Sequence, residues 1–262
     1  MSVLAIDIGN SRVGFGVFTA GKSKDPAVRW HHAELDAQLA DTLRQMHQKA
    51  IAETQAEDDE TTGVVITSVV PELTQKIRQA VATHLQVKPV IVGQEVTVPI
   101  KTKLRDETTV GQDRLVAALA AYVNLEKACV IVQVGSALVV DCIDDEGIFR
   151  GGAIAPGLQM GAKALHEFAA QLPDVSLTPP DDAEPFGRYT QEAINLGLYA
   201  GARGCVRELV ERYATAIGHW PHVVATGGDA LTLLQDMQIV DSFVPDLVLQ
   251  GAALAWEHYH EG

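Results

Sequence analysis

Leu4–Phe18 reads LAIDIGNSRVGFGVF, and Val130–Asp144 reads VIVQVGSALVVDCID. Laid over each other, Ile6-Asp7-Ile8-Gly9-Asn10-Ser11 falls on Val132-Gln133-Val134-Gly135-Ser136-Ala137, an offset of 126 positions in a chain of 262. Each stretch is an apolar run to a glycine followed by a return into β-rich sequence. That pattern predicts a strand, a tight Gly-polar turn and a second strand. Glycine lets the turn close, and the N–H groups and hydroxyls of such a turn can face an anion. One hairpin of this kind is a weak signal. Two, spaced by half the chain, point to a duplicated domain with a phosphate-gripping turn in each half. The first turn carries Asp7, and the second carries Gln133 at the matching place.

Around these hairpins, strands and helices alternate. Strands are expected over Val3–Ile8, Arg12–Thr19, Gly63–Ser68 and Val90–Val92, with helices over Asp36–Glu53 and Pro71–His84. The acidic run Glu57-Asp58-Asp59-Glu60 with Thr61-Thr62 reads as a solvated turn rather than a metal site. An Ala- and Leu-rich helix is expected over Gln112–Lys127. Strands follow over Cys129–Val134, Leu138–Ile143 and Ile148–Ile154, then the turn Ala155-Pro156-Gly157 and a helix over Leu158–Ala170. The Pro- and Asp-rich stretch Gln171–Tyr189 reads as an irregular loop. A helix over Gln191–Ile217, a strand over His222–Ala225, a helix over Ala230–Gln235 and a last helix from Leu247 complete the chain. The alternation indicates an α/β architecture, and the repeat divides it into domains 1–125 and 126–262.

Composition sets outer limits. A hydrophobic content of 47% is ample for packed cores, and a net charge of −14 argues against a nucleic-acid backbone as partner. It does not argue against a nucleotide, which needs only local donors and a metal. Apolar stretches fall short of a membrane span, and the N-terminus MSVLAIDIGN lacks a secretory pattern. Cys129, Cys142 and Cys205 have no metal-ligand spacing and read as reduced, mostly buried thiols of a cytoplasmic protein. GxSxG and HExxH are both missing from the sequence.

Three groups of residues can carry chemistry. Asp7, at the end of a strand, can hold a Mg²⁺-bound water or orient a phosphate beside the donors of Gly9, Asn10 and Ser11. It can also merely cap the turn, a reading that the duplicate hairpin disfavours. Gly111-Gln112-Asp113-Arg114 opens a long helix. Asp113 there is either a helix cap or, paired with Arg114, a group that accepts a proton from a substrate hydroxyl while the guanidinium holds a carboxylate. The glycines of Gly151-Gly152-Ala153-Ile154-Ala155-Pro156-Gly157 admit a ligand or another backbone. Those of Thr226-Gly227-Gly228-Asp229-Ala230 suit a nucleoside packed on bare backbone, or a structural turn. The histidines, among them His31-His32, His258 and His260, have no ligand-like partners in the sequence.

Taken in order, DIGNS, SVVP (Ser68–Pro71), GQDR (Gly111–Arg114), the second glycine hairpin, GGAIAPGL (Gly151–Leu158), YTQEAI (Tyr189–Ile194) and ATGGDA (Ala225–Ala230) resemble the type III pantothenate kinases. That family belongs to the acetate and sugar kinase, Hsc70 and actin superfamily, and the likeness covers nearly the whole chain. The resemblance implies two ribonuclease-H-like domains with ATP in the cleft between them. It implies a homodimer, and ATP-dependent phosphorylation of pantothenate with Mg²⁺ as the first step of coenzyme A synthesis. It implies a first phosphate loop of Asp7, Ile8, Gly9, Asn10, Ser11, Arg12, Val13 and Gly14, and Asp113 as the base. Gly111, Gln112, Arg114 and Thr190 would bind pantothenate, Ser136 would meet ATP phosphate, and Gly227 and Gly228 would lie by the adenosine.

Three departures from the family pattern stand out. Gln133 replaces an Asp that binds a monovalent cation, K⁺ or NH4⁺, in the family. A Gln carbonyl can still coordinate such an ion but brings no negative charge. Ser136-Ala137-Leu138-Val139 replaces a Thr-rich stretch, and Leu104 stands where a Tyr touches pantothenate. Two alternatives to an active pantothenate kinase follow from these changes: a catalytically weak or silent nucleotide-binding relative, and a kinase of another small hydroxy acid.

Overall fold

The computed structural model describes residues 1–23, 25–56, 62–181 and 183–261. The acidic run from Glu57 through Thr61 lies outside them. The chain forms two compact units: Met1–Asn124 together with the C-terminal segment from Asp246, and Leu125–Pro245.

The first unit begins with the expected hairpin, β1 (Ser2–Ile8) and β2 (Arg12–Thr19), in antiparallel register with Asp7 opposite Gly14. Two short strands then flank β2, β3 (Lys22–Ser23) and β4 (Val28–His31). Helix α1 (His32–Ala56) buries Leu35, Leu39, Leu43, Met46 and Ala50, a stripe at helical spacing. Strand β5 (Thr62–Ser68) runs parallel to β1, with Thr67 beside Asp7. The Ser68-Val69-Val70-Pro71 motif is a helix entry. Ser68 Oγ accepts the Val70 amide at 3.0 Å, and Pro71 opens α2 (Pro71–Leu85), where its missing N–H is not needed. Strand β6 (Val90–Ile91) closes the order β3-β2-β1-β5-β6. After β7 (Lys101–Thr102) comes a 3₁₀ turn, Glu107–Thr109, capped by Asp106, and then α3 (Gln112–Leu125).

The second unit repeats the plan. Strands β8 (Cys129–Val134) and β9 (Ala137–Ile143) form an antiparallel hairpin, and β10 (Ile148–Pro156) pairs with β9. Helices α4 (Leu158–Phe168) and α5 (Thr190–Ile217) follow. Then β11 (His222–Thr226) runs parallel to β8, α6 (Ala230–Leu234) follows it, and β12 (Ser242–Phe243) runs parallel to β11. Thus β9-β8-β11-β12 matches β2-β1-β5-β6 in sequence order and direction, the duplication read from the two hairpins.

The expected domain division and the compact units differ at the C-terminus. Helix α7 (Leu247–Glu261) packs on β1, β2 and β5 of the first unit. Its Trp256 is fully buried against Gly63, where a Cβ would lie 2.5 Å from Trp256 Cζ2. The glycines of the Gly151–Gly157 stretch serve backbone packing. A Cβ on Gly152 would fall 2.1 Å from the Val140 carbonyl oxygen, and one on Gly157 would fall 2.0 Å from that of Gly135. The three cysteines are free. Burial pushes the Cys129 thiol up to about 12 and that of Cys142 up to about 11, so both stay protonated and unreactive.

Candidate functional site

In the first unit, Gly9 N–H donates to the Arg12 carbonyl at 3.1 Å and closes the β1–β2 turn, leaving Asn10, Ser11 and Arg12 exposed at its tip. Both histidines after β2 brace this turn. His32 Nε2 lies 3.0 Å from the Gly9 carbonyl oxygen, and Arg12 Nε donates to His31 Nε2 at 3.2 Å. Ile8 and Val13 are buried beneath it, and Gly14 lies against Arg29 and Leu249. The tip therefore presents exposed polar residues on a fixed base, an arrangement suited to an anion.

Asp7 stands one pleat below the turn. Removal from water pushes its carboxyl up to about 7 from 3.8; the negative charge of Asp113 adds to the rise, and Arg29 opposes it. Asp113, in the first turn of α3, is also raised by burial. Its own amide, the Arg114 amide and the Arg114 guanidinium oppose the rise. The amides at the start of α3 thus hold the carboxylate in place. Gly111 is required here: its carbonyl accepts the Arg114 amide at 3.1 Å, and a Cβ on it would lie 2.4 Å from Asp113 Oδ1. Gln112 packs over Gly93, which has φ +82°. Two carboxylates raised by removal from water, the charge of Asp113 adding to the rise at Asp7, form a site that favours a cation or a proton donor.

Arg29 and Thr67 have no motif and were missed by the sequence reading. Arg29 reaches the site from β4 and is held by an ion pair with Asp246, at the entry to α7. Thr67 is beside Asp7 only because β5 pairs with β1 in that register. Leu104 lies in the irregular segment after β7 and is partly buried.

In the second unit, Gly135 N–H donates to the Ala137 carbonyl at 3.0 Å, closing the turn that carries Ser136. Gln133 is on β8 with Thr226 of β11 as its lateral partner. Gly227 (φ +103°) and Gly228 expose bare backbone after β11, and a Cβ on Gly227 would lie 2.2 Å from the Val134 carbonyl oxygen. Thr190 is the first residue of α5. It lines an apolar groove of about 770 Å³ between α4 and α5 with Gly161, Leu165, Phe168, Ile194 and Gly197.

Each unit thus holds its own expected residues: Asp7, the first turn, Asp113 and Arg114 in one, and Gln133, Ser136, Gly227 and Gly228 in the other. Among the described residues no cluster of three or more His, Cys, Asp or Glu is placed to hold a metal. No helix among them is long and apolar enough to cross a membrane.

Known proteins resemble this arrangement. In fold, the chain is similar to a Campylobacter jejuni protein described as a Baf family transcriptional activator (TM-score 0.61, 17% identity, 98% of each chain). It is also similar to the activator of 2-hydroxyisocaproyl-CoA dehydratase from Clostridium difficile (TM-score 0.51, 15% identity, 100% of this chain and 96% of that one). These likenesses are of fold, consistent with duplicated ribonuclease-H-like domains. In sequence, it is 33% identical to a type III pantothenate kinase of Dehalococcoides mccartyi over 97% of each chain. It is 32% identical to one of Moorella thermoacetica over 97% of this chain and 98% of that one. The sequence profile of the type III pantothenate kinases matches residues 3–212. The chain belongs to the type III pantothenate kinase family.

Proposed function

We propose that this protein phosphorylates pantothenate with ATP, giving 4'-phosphopantothenate at the entry to coenzyme A synthesis. Family membership supports the reaction, and the buried Asp7–Asp113 pair at the first turn is the observation that ties it to this chain. ATP as co-substrate places the reaction in the cytoplasm.

Asp113 accepts the proton of the primary hydroxyl of pantothenate. As the proton leaves, the hydroxyl oxygen bonds the terminal phosphorus, and the bond from that phosphorus to the bridging oxygen breaks to release ADP. A carboxylate whose proton affinity is raised by burial is a better base than one in water. Arg114, on the same helical turn, binds the substrate carboxylate. Gly111 clears space for Asp113, Gln112 fixes the helix start on Gly93, and Thr190 contacts substrate from α5. The amides and hydroxyls of Gly9, Asn10, Ser11 and Ser136 take phosphoryl oxygens, and Gly227 and Gly228 take the adenosine side. This is positioning and charge neutralisation, which phosphoryl transfer demands.

Asp7 fits Mg²⁺: it is a buried carboxylate in a site with a second negative charge, and it would hold the ion through water beside the nucleotide phosphates. The ion, when bound, neutralises charge on the transferring group. Position 133 is a poor match for K⁺ or NH4⁺. Gln133 brings a neutral amide oxygen in place of a carboxylate, and its buried Nε2 can only donate. Turnover with ATP, Mg²⁺ and pantothenate is therefore expected to change by less than about twofold when K⁺ is replaced by a bulky organic cation. A strict K⁺ requirement contradicts this reading of Gln133.

The α4–α5 groove is the face on which a second copy of the chain docks. Its floor is apolar, and Phe168 at its edge is 83% exposed. Gly197, Gly201 and Gly204 leave open space along α5, so a partner helix can approach closely. Phe168→Asp is expected to convert dimer to monomer in sedimentation analysis; an unchanged dimer removes this surface from the assignment.

A further inference from the structure

Two buried side-chain polar atoms among the described residues have no hydrogen-bond partner: Thr67 Oγ1 and Gln133 Nε2. Their positions are related. Thr67 is the lateral partner of Asp7 in the first repeat, and Gln133 is the counterpart of Asp7 in the second. A buried donor left unmet destabilises a fold and calls for an explanation. Two backbone acceptors of this hairpin are already engaged. The Val134 carbonyl takes the Asp229 amide at 3.2 Å, and the Ser136 carbonyl takes the Gly157 amide at 3.1 Å. Gly227 and Gly157 press so closely on Val134 and Gly135 that neither could carry a side chain to supply an acceptor. An amide NH₂ only donates, so the partner it lacks is an acceptor. The turn beside it, Gly135-Ser136, is one that accommodates an anion.

We propose that Gln133 is a phosphate-positioning residue, its side-chain amide donating to a phosphoryl oxygen of the nucleotide held at the Gly135-Ser136 turn. The assignment rests on the nucleotide-binding reading above. It makes the second hairpin a neutral hydrogen-bonding clamp. A donor of this kind distinguishes a polyphosphate from a nucleoside, because adenosine offers it no phosphoryl oxygen.

Gln133→Glu and Gln133→Leu test this by calorimetry with a non-hydrolysable ATP analogue plus Mg²⁺, and separately with adenosine. Glu keeps the shape but turns a donor into a negative acceptor, and Leu deletes the polar group. Both are expected to weaken the analogue by about tenfold or more, the size of a lost hydrogen bond to a charged group. Adenosine affinity is expected to stay within about twofold of wild type. Without ligand, Gln133→Leu is expected to unfold a few degrees higher, since it removes an unmet buried donor. Wild-type affinity for the analogue in both variants overturns the proposal, as does an equal loss for adenosine and the analogue. A wild-type protein that binds neither ligand fails at an earlier point: the nucleotide reading itself then falls, and this assignment with it.

Discussion

Asp113→Asn abolishes detectable phosphopantothenate formation, lowering kcat by at least about 100-fold, the lower end of what a positioned general base contributes. The substitution keeps the size of the side chain and one oxygen to accept the amides at the start of α3. It removes the lone pair that takes the hydroxyl proton, and it removes a charge. Because the charge of Asp113 adds to the rise of the Asp7 carboxyl that burial causes, the variant also lets Asp7 ionise at lower pH. Nucleotide affinity is therefore expected within about threefold of wild type while turnover collapses. Separate measurement of kcat and of nucleotide Kd distinguishes this from a binding defect. Near-full activity in the variant shows that another group takes the proton.

Asp7→Asn produces the opposite signs in stability and function. Asp7 titrates near 3.8 when unfolded and at about 7 when folded. Below about pH 4 both states carry the proton, and stability is at its highest with respect to this group. As pH rises toward 7 the unfolded chain ionises freely while the folded one resists. Stability falls over that window and levels off above it. A shift of about three pK units corresponds to about 4 kcal/mol at most. Water penetration and local rearrangement reduce this to about 2 kcal/mol. Asp7→Asn is therefore expected to raise stability by about 2 kcal/mol at pH 8, to change it little at pH 4, and to lose Mg²⁺-dependent turnover. Urea unfolding at the two pH values checks the first part. A variant that is no more stable at pH 8 contradicts a buried, ligand-awaiting carboxylate.

The parts of the fold that were legible in sequence are those set by local rules. The two glycine hairpins, the buried stripe of α1 and the Ser68–Pro71 helix entry follow from turn chemistry and periodicity. The parts that were not legible depend on register or on distant partners. The short strand Val28–His31 carries Arg29 to the site only because it pairs with β2. Thr67 matters only through its pairing with Asp7. The apolar pattern of α7 says that it covers a sheet but not which one, and only the fit of Trp256 on Gly63 selects the first unit. The glycines of Gly151–Gly157 had two readings in sequence, and the close carbonyls of Val140 and Gly135 show backbone packing. At Gln133 the sequence showed a missing charge, and the structure adds a buried donor without a partner.

The most direct test of the central claim is incubation of the purified protein with ATP, Mg²⁺ and pantothenate, followed by detection of phosphopantothenate by mass in wild type and Asp113→Asn side by side. The account predicts product from wild type and none from the variant. Equal product from both contradicts the role of Asp113, and no product from a wild-type protein that still binds ATP contradicts pantothenate as the substrate.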